Sequence, residues 1–439
     1  MMSVSKSGLA QLAVLAALGI FTGGMTSAQA ADLGGNCCAD LEERIAELEA
    51  TTARKGNRKV SLEISGHINE AVLYWDDGVE SNVGTYTNDN ARSRFRLKGE
   101  AKINGDWKAG YLMEWGVRTQ NSKRFNQDDP KGDGAGQLDL RHQVWYLNSK
   151  TFGRVWMGLT GGASEGVTET NLAATKDILK YSDQEDNGLG LNMLINGAST
   201  GVAWRRLIRG GGDQPGEGRR HNLVRYDTPE FAGFHATANW GEDDAWEVGL
   251  RYKGEFGDFK LAAAIAYGEQ VDNVAEPFQC VGNDTNDSAD CQQLGGSVSV
   301  MHAPTGIYVN FAAGYLDDNQ IATDPGAAGI AAVVDDRSSF YAGEVGIEQK
   351  WNELGKTTVF GQYYHNSGGS QDRSFNGGDI VSSELQSFGV GVVQGIDAAA
   401  MHVYLTYRHY QGDVTSGAAL VNTDIDDLDV VMGGAIIRF

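Results

Sequence analysis

Two sets of charged residues stand out by type and spacing. The segment Gly161–Arg220 carries carboxylates at Glu165, Glu169, Asp177, Asp183, Glu185 and Asp186, then guanidiniums at Arg205, Arg206, Arg209, Arg219 and Arg220. Upstream, Arg92, Arg94 and Arg96 recur at every second residue and run on into Lys98 and Glu100. A strand turns alternate residues to opposite faces, so this spacing makes a ladder of charge on one face. Acids on an inserted loop, set against such a ladder, impose a transverse field on a narrow water-filled passage. That field aligns polar solutes and biases ion passage. On this reading Glu165, Glu169, Asp177, Asp183 and Glu185 form the acidic side. Arg92, Arg94 and Arg96 form the basic side, with Arg205 and Arg206 as further candidates. The competing reading is a set of solvated loop charges.

Bond-making chemistry finds less support. The sequence has no Gly-x-Ser-x-Gly nucleophile elbow. His142, His235, His302, His365, His402 and His409 are scattered without an evident serine or carboxylate partner, which disfavours a hydrolase. The acidic pairs Asp243-Asp244, Asp335-Asp336 and Asp426-Asp427 offer oxygen ligands for calcium on an outer rim, but none has the Asp-x-Asp-x-Asp-Gly spacing of a calcium loop. The formal net charge of −22 argues against nucleic acid as a partner. Four cysteines allow three pairings. Cys280 and Cys291 share one polar stretch, so a local disulfide between them is the simplest expectation; the adjacent Cys37 and Cys38 give no clear reading.

The elements that would position these charges are strands. Lys6, the apolar run Leu9–Phe21 and Ala28-Gln29-Ala30 predict a secretory signal peptide over residues 1–30, and the approach to Cys37 does not suit a lipidated cysteine. Residues 31–59 form an expected periplasmic extension. Within it Leu41, Ile45 and Leu48 make a helical stripe over Asp40–Thr52, either a coiled-coil stub joining copies of the chain or a frayed helix at a barrel mouth. From Val60 the period becomes two. In Ala91–Lys102 the charged face opposes Phe95, Leu97 and Ala101, and in Trp107–Arg118 Lys108, Glu114 and Arg118 oppose Tyr111, Met113, Trp115 and Val117. A charged face inside and an apolar face outside is the pattern of a membrane barrel rather than of a sandwich.

The connections alternate in length. Tight turns are expected at Asn104–Asp106, Ser149–Gly153, Pro229–Gly233, Gly254–Asp258, Ala303–Gly306, Asn352–Gly355 and Gly395–Ala398. Between them lie Gly78–Asn90, Thr119–Gln137, Gly161–Arg220, the short Gly241–Asp244, Gln270–Gly295, Asp317–Arg337, Asn366–Ile380 and Gln411–Asp426. Seven turns, eight loops and both chain ends on the tight side predict an all-β, transmembrane antiparallel barrel of sixteen strands over 60–439, with 161–220 inserted in its lumen. A hairpin from Gly188–Ile195 and Val202–Ile208 would raise the count to eighteen. The chain stops on Asp427–Phe439, with Val431, Gly433, Ala435, Ile437 and Phe439 on one face, and its terminal Phe looks like a bacterial outer-membrane assembly signal. The chain is too short for a barrel of about 22 strands with a plug.

Three stretches carry a family resemblance: Asp40–Ala50 with Arg54–Ser61, then Val224–Phe234, then Trp240–Asp244. They resemble alphaproteobacterial porins of the outer membrane. The resemblance implies a trimeric sixteen-stranded barrel whose third extracellular loop, here Gly161–Arg220, narrows the channel, with Arg92, Arg94 and Arg96 on the facing wall. It implies passive passage of small hydrophilic solutes and ions, with outer-membrane lipid and lipopolysaccharide as surroundings. A substrate-specific channel with a sugar- or anion-binding site is the alternative; a secreted β-sandwich adhesin is disfavoured by the terminal Phe.

Overall fold

The computed structural model describes residues 59–132, 138–208, 214–241, 244–271, 278, 290–319, 335–368, 380–416 and 421–439. The expected signal peptide, the Asp40–Thr52 helix, Cys37, Cys38, Arg209, Asp243 and Cys280 lie outside the described residues. Cys291 is disulfide-bonded.

Twenty strands are described. In chain order they are β1 (Glu63–Asp76), β2 (Ser81–Thr87), β3 (Arg94–Lys102), β4 (Trp107–Val117), β5 (Leu138–Ser149), β6 (Gly153–Thr160), β7 (Asn192–Ile195), β8 (Ala198–Ala203), β9 (His221–Asp227) and β10 (Phe234–Gly241). Then follow β11 (Trp246–Phe256), β12 (Phe259–Val271), β13 (Asp290–His302), β14 (Ile307–Asp318), β15 (Arg337–Gln349), β16 (Thr357–Gly368), β17 (Ile380–Ile396), β18 (Met401–Ser416), β19 (Val421–Asp424) and β20 (Leu428–Arg438). Eighteen of them form one antiparallel sheet, closed by β20 pairing with β1 from His67↔Arg438 to Asp76↔Asp429. β2 and β3 occupy one wall position beside β1, and β19 and β20 occupy one beside β18, so the wall has sixteen positions. Closure leaves no edge strand, which is what a sheet in hydrocarbon requires.

The alternation seen in the sequence is the alternation of the wall. Val309, Phe311, Val345, Val359 and Val390 point outward and are exposed, while Asn310, Glu344 and Gln362 on the same strands are buried inside. No described helix is long and apolar enough to cross a membrane; the apolar belt is made by strands.

Several expected boundaries move. Gly78–Asn90 is not an open loop: four residues, 77–80, turn directly into β2, which pairs along β1. The strand expected over Ala91–Lys102 starts at Arg94, because Asp89–Ala91 forms a short 3-10 turn that carries the chain inward. The connections expected at 270–295, 366–380 and 411–426 are shorter, since their strands continue past the apolar belt. The possible extra hairpin exists as β7–β8, a separate two-stranded sheet that does not join the wall.

Candidate functional site

β6 ends at Thr160, β9 begins at His221, and the two pair directly. The segment after Thr160 therefore leaves and re-enters the wall at one point, and its described residues, 161–208 and 214–220, lie on the inner side. A segment with so little regular structure must satisfy its backbone elsewhere, and here the inward side chains of the wall do this. The Ala163 amide donates to Asn239 Oδ1 at 2.6 Å, and the Thr170 and Leu172 amides donate to the hydroxyls of Ser297 and Ser299 at 3.0 and 3.1 Å. Further on, the Ala174 amide donates to Glu348 Oε2 at 2.9 Å. Gln362 and Arg408 donate to the carbonyls of Leu179 and Lys180 at 2.7 and 2.9 Å. The returning leg lies flat on β13 and β14, where a Cβ on Gly216 (φ +91°) would stand 2.8 Å from the Gly295 Cα.

Residues 189–208 are held by packing. Leu189, Leu191, Met193, Trp204, Leu207 and Ile208 join one buried cluster with Tyr308, Phe340, Phe360, Tyr364, Tyr404 and Tyr410 of the wall. Each such side chain contributes about 1.5–3 kcal/mol when fully buried. Arg205 and Arg206 fall in the 3-10 turn Trp204–Ile208 of this packed unit.

The sequence-predicted acids are bound in separate places. Glu165 pairs with Arg220 at the base of the segment. Burial pushes its carboxyl up, but Arg220, backed by His142, Arg141 and Arg225, pulls it below the ordinary range to about 2. Glu169 and Asp183 both hold the Lys180 ammonium, at 2.5 and 3.1 Å. Burial disfavours that charge, yet the two carboxylates raise the Lys180 pKa well above its ordinary value. Glu185 pairs with Lys123 at 2.8 Å. Asp183, Glu185 and Asp186 bring carboxylate oxygens within 4.8 Å of one another, and Lys123 and Lys180 sit among them. Asp177, at the end of the 3-10 turn Ala174–Asp177, accepts from Arg438 Nη2 at 2.8 Å.

The arginine ladder is also bound. Arg94 and Arg96 reach Glu114 of β4, Arg94 at 3.4 Å. Arg141 of β5 reaches the same carboxylate at 2.8 Å. Arg92, in the bend before β3, lies 3.3 Å from Asp89 and 2.8 Å from Asp139, and Arg118 joins Asp89 at 2.7 Å. Arg92, Arg94, Arg96, Arg118 and Arg141 thus share Glu114, Asp89 and Asp139, and with Arg220 of the segment on Glu165 six arginines share four carboxylates.

Among the described residues the segment's acids form ion pairs with Arg220, Lys180, Lys123 and Arg438 rather than with Arg92, Arg94 or Arg96. Sequence reasoning missed Arg141 and Arg438. It had Glu114 and Arg118 on the charged face of their strand, without a partner to assign. Arg141 was hidden by a bulge: β4 runs Glu114, Trp115 opposite His142, Leu140, which leaves Arg141 as the extra residue.

The family model for Gram-negative porins matches residues 12–415. No curated protein sequence matches the chain. Among solved structures, an anion-selective porin from Comamonas acidovorans is similar, with a TM-score of 0.55 and 16% identity over 87% of this chain and 100% of that one. OmpT, an outer membrane protein of Vibrio cholerae in its trimer form, aligns with a TM-score of 0.51 and 14% identity over 87% and 99% of the two chains. The outer membrane channel DcaP of Acinetobacter baumannii aligns with a TM-score of 0.51 and 12% identity over 88% and 99%.

Proposed function

The chain belongs to the Gram-negative porin family and is an outer-membrane channel; from that premise we propose how it selects what passes. The channel is a passive, water-filled path for small hydrophilic solutes and ions and performs no bond chemistry. Its waist is bounded by residues 161–220 on one side and by the arginines of β3–β5 on the other. Arg92, Arg94, Arg96 and Glu165 border it directly, and Asp177 marks its far end. Glu169, Asp183 and Glu185, with Arg205 and Arg206, keep the segment in place.

The observation that carries the reading is the sharing of four carboxylates by six arginines. A residual positive potential in a narrow lumen draws anions and repels cations, since charges within the Debye length, about 8 Å at physiological salt, are only partly screened. The channel therefore favours anions while still passing neutral polar solutes. The chain works as a homotrimer among outer-membrane lipid and lipopolysaccharide, and the resemblance of Asp40–Ala50 with Arg54–Ser61, of Val224–Phe234 and of Trp240–Asp244 supports the alphaproteobacterial branch of the family.

Planar-bilayer recording across a salt gradient tests this. Large conductance steps arriving in threes, with a reversal potential of anion-selective sign, are expected. A cation-selective reversal potential overturns the charge argument. Saturable block by one sugar or organic anion replaces general diffusion with a specific channel.

A further inference from the structure

Toward the tight turn Ser149–Gly153, the inner wall carries a second group of charges that the waist does not use. On β6, Val155 and Met157 turn outward and are exposed, so Arg154 and Trp156 face the lumen, half-buried. Register gives their place along the wall. Glu114 lies opposite His142 and Gln143 opposite Leu159, which sets the arginine cluster of β3–β5 level with Thr160. Arg154 lies about 20 Å further along β6, beyond the reach of that cluster's field at physiological salt.

The neighbouring carboxylates are taken. Glu100 accepts from Lys108 Nζ and from the Tyr146 hydroxyl, both at 3.0 Å. Asp227 accepts from Arg225 Nε and Trp156 Nε1, both at 2.8 Å, and from the Thr237 hydroxyl at 2.9 Å. Arg154 is left with a neutral partner. Its Nε donates to Asn148 Oδ1 at 2.9 Å, and among the described residues it pairs with no carboxylate.

The Arg154 guanidinium is nevertheless held in place. It lies over the rings of Tyr146 and Trp156, 5.0 and 4.9 Å from their centroids, and those rings stand 4.8 Å apart at 51°. Contact with the rings fixes the group, Asn148 takes its Nε, and the two terminal nitrogens remain to donate. That fork matches a carboxylate in a bidentate pair. The polar ends of both aromatic side chains are bound, to Glu100 and to Asp227, so what they offer a ligand is ring surface. A compact anion would use the charge alone; an aromatic carboxylate on the fork lies within reach of the rings as well.

We propose that Arg154, with Tyr146 and Trp156, is a binding station for small aromatic carboxylates between the waist and the tight-turn mouth. A ligand there sits on the wall and leaves the waist open. The station needs only the channel, not the polarity proposed for its waist.

The test uses the mature chain in lipid nanodiscs with para-fluorobenzoate as the probe, its fluorine NMR line width read against empty nanodiscs. The expected result is saturable broadening, which benzoate reverses at a concentration at least fivefold below that of acetate or inorganic phosphate. Arg154→Gln and Trp156→Leu each weaken binding at least fivefold, whereas Trp156→Phe retains it. Arg94→Gln with Arg96→Gln, which alters the waist, keeps the broadening. Unchanged binding in R154Q overturns the proposal, and so does acetate or phosphate that competes as well as benzoate. Loss of binding in the R94Q/R96Q chain alone moves the ligand to the waist and overturns this placement. A cation-selective reversal potential with the broadening intact overturns the waist reading and leaves the station standing. Should R154Q fail to fold, the tryptophan variants and the order of competitors in the wild type still decide.

Discussion

Arg141 Nε donates to Glu114 Oε1 at 2.8 Å, and the bond exists because β5 carries an extra residue at that level. The bulge turns Arg141 and His142 inward together. A third guanidinium thereby reaches a carboxylate that the strand alternation alone would leave to Arg94 and Arg96. Bulges re-aim side chains in this way at sites of use.

Replacing Glu114 by Gln removes the charge that three arginines share. Breaking a buried pair of this kind costs about 3–5 kcal/mol, here toward the lower figure because the Arg96 side chain keeps 42% of its exposure. Urea unfolding of the refolded barrel should show that loss. The same variant should shift the reversal potential further in the anion-selective direction; a shift toward cations contradicts the proposed polarity of the waist.

Arg94→Gln with Arg96→Gln works in the opposite sense. Removal of two positive charges from the waist, with Glu114 left to Arg141, should lower the anion-to-cation permeability ratio roughly twofold or more at physiological salt, where screening is incomplete. The effect should fade in molar salt. An unchanged ratio at low salt would show that the selective charges lie elsewhere.

Glu217 gives a pH dependence. Burial first, and then the charge on Glu169, raise its carboxyl from 4.5 to about 8. The folded chain thus keeps a proton that the unfolded chain releases near 4.5. Stability from this site is complete below the lower value and falls as pH rises through about 8. Glu217 also accepts from the amide and hydroxyl of Thr168 at 2.7 and 2.6 Å. Hydrogen-exchange protection factors over residues 164–168 should therefore fall between pH 6 and pH 9, and Glu217→Gln should level the two. Equal protection at both pH values in the wild type would refute the argument.

Much of the wall was legible because its physics is local. A period of two, a short turn and a terminal aromatic each need only neighbouring residues. That sufficed for the sixteen wall positions and for the charged face of β3. The site was less legible because it depends on register. Nothing near Asp177 in sequence indicates that Arg438 will hold it, and nothing near Arg94 indicates that Glu114, not a loop acid, will be its partner. The hydrophobic residues of 189–208 announced burial, but only the fold shows that they join one cluster with residues of β14–β18 and with Trp75, Tyr86 and Phe125.

Arg438 is the hinge of a further prediction. Its Nη2 binds Asp177 at 2.8 Å while its Nη1 donates to His402 Nδ1 at 2.9 Å. A guanidinium only donates, so this His402 nitrogen carries no proton. Arg438→Gln should free the Ala174–Asp177 turn and raise open-channel current noise with little change in mean conductance. Acidification that protonates His402 should raise the noise of the wild type and leave the variant unaffected. A quiet R438Q channel would mean that the wall hydrogen bonds at Ala174 and Leu179 suffice to hold the turn.

The position of Arg438 in the chain also orders events in time. It lies on the last wall strand, β20, and the turn it holds contacts Asn69 of the first strand as well, whose side chain donates to the Asp177 carbonyl at 3.4 Å. The first and last wall strands must have met before this dock exists. A barrel still open at its seam lacks the moorings of Asp177 on Arg438 and Asn69, so this part of the narrow passage is finished only when the cylinder closes.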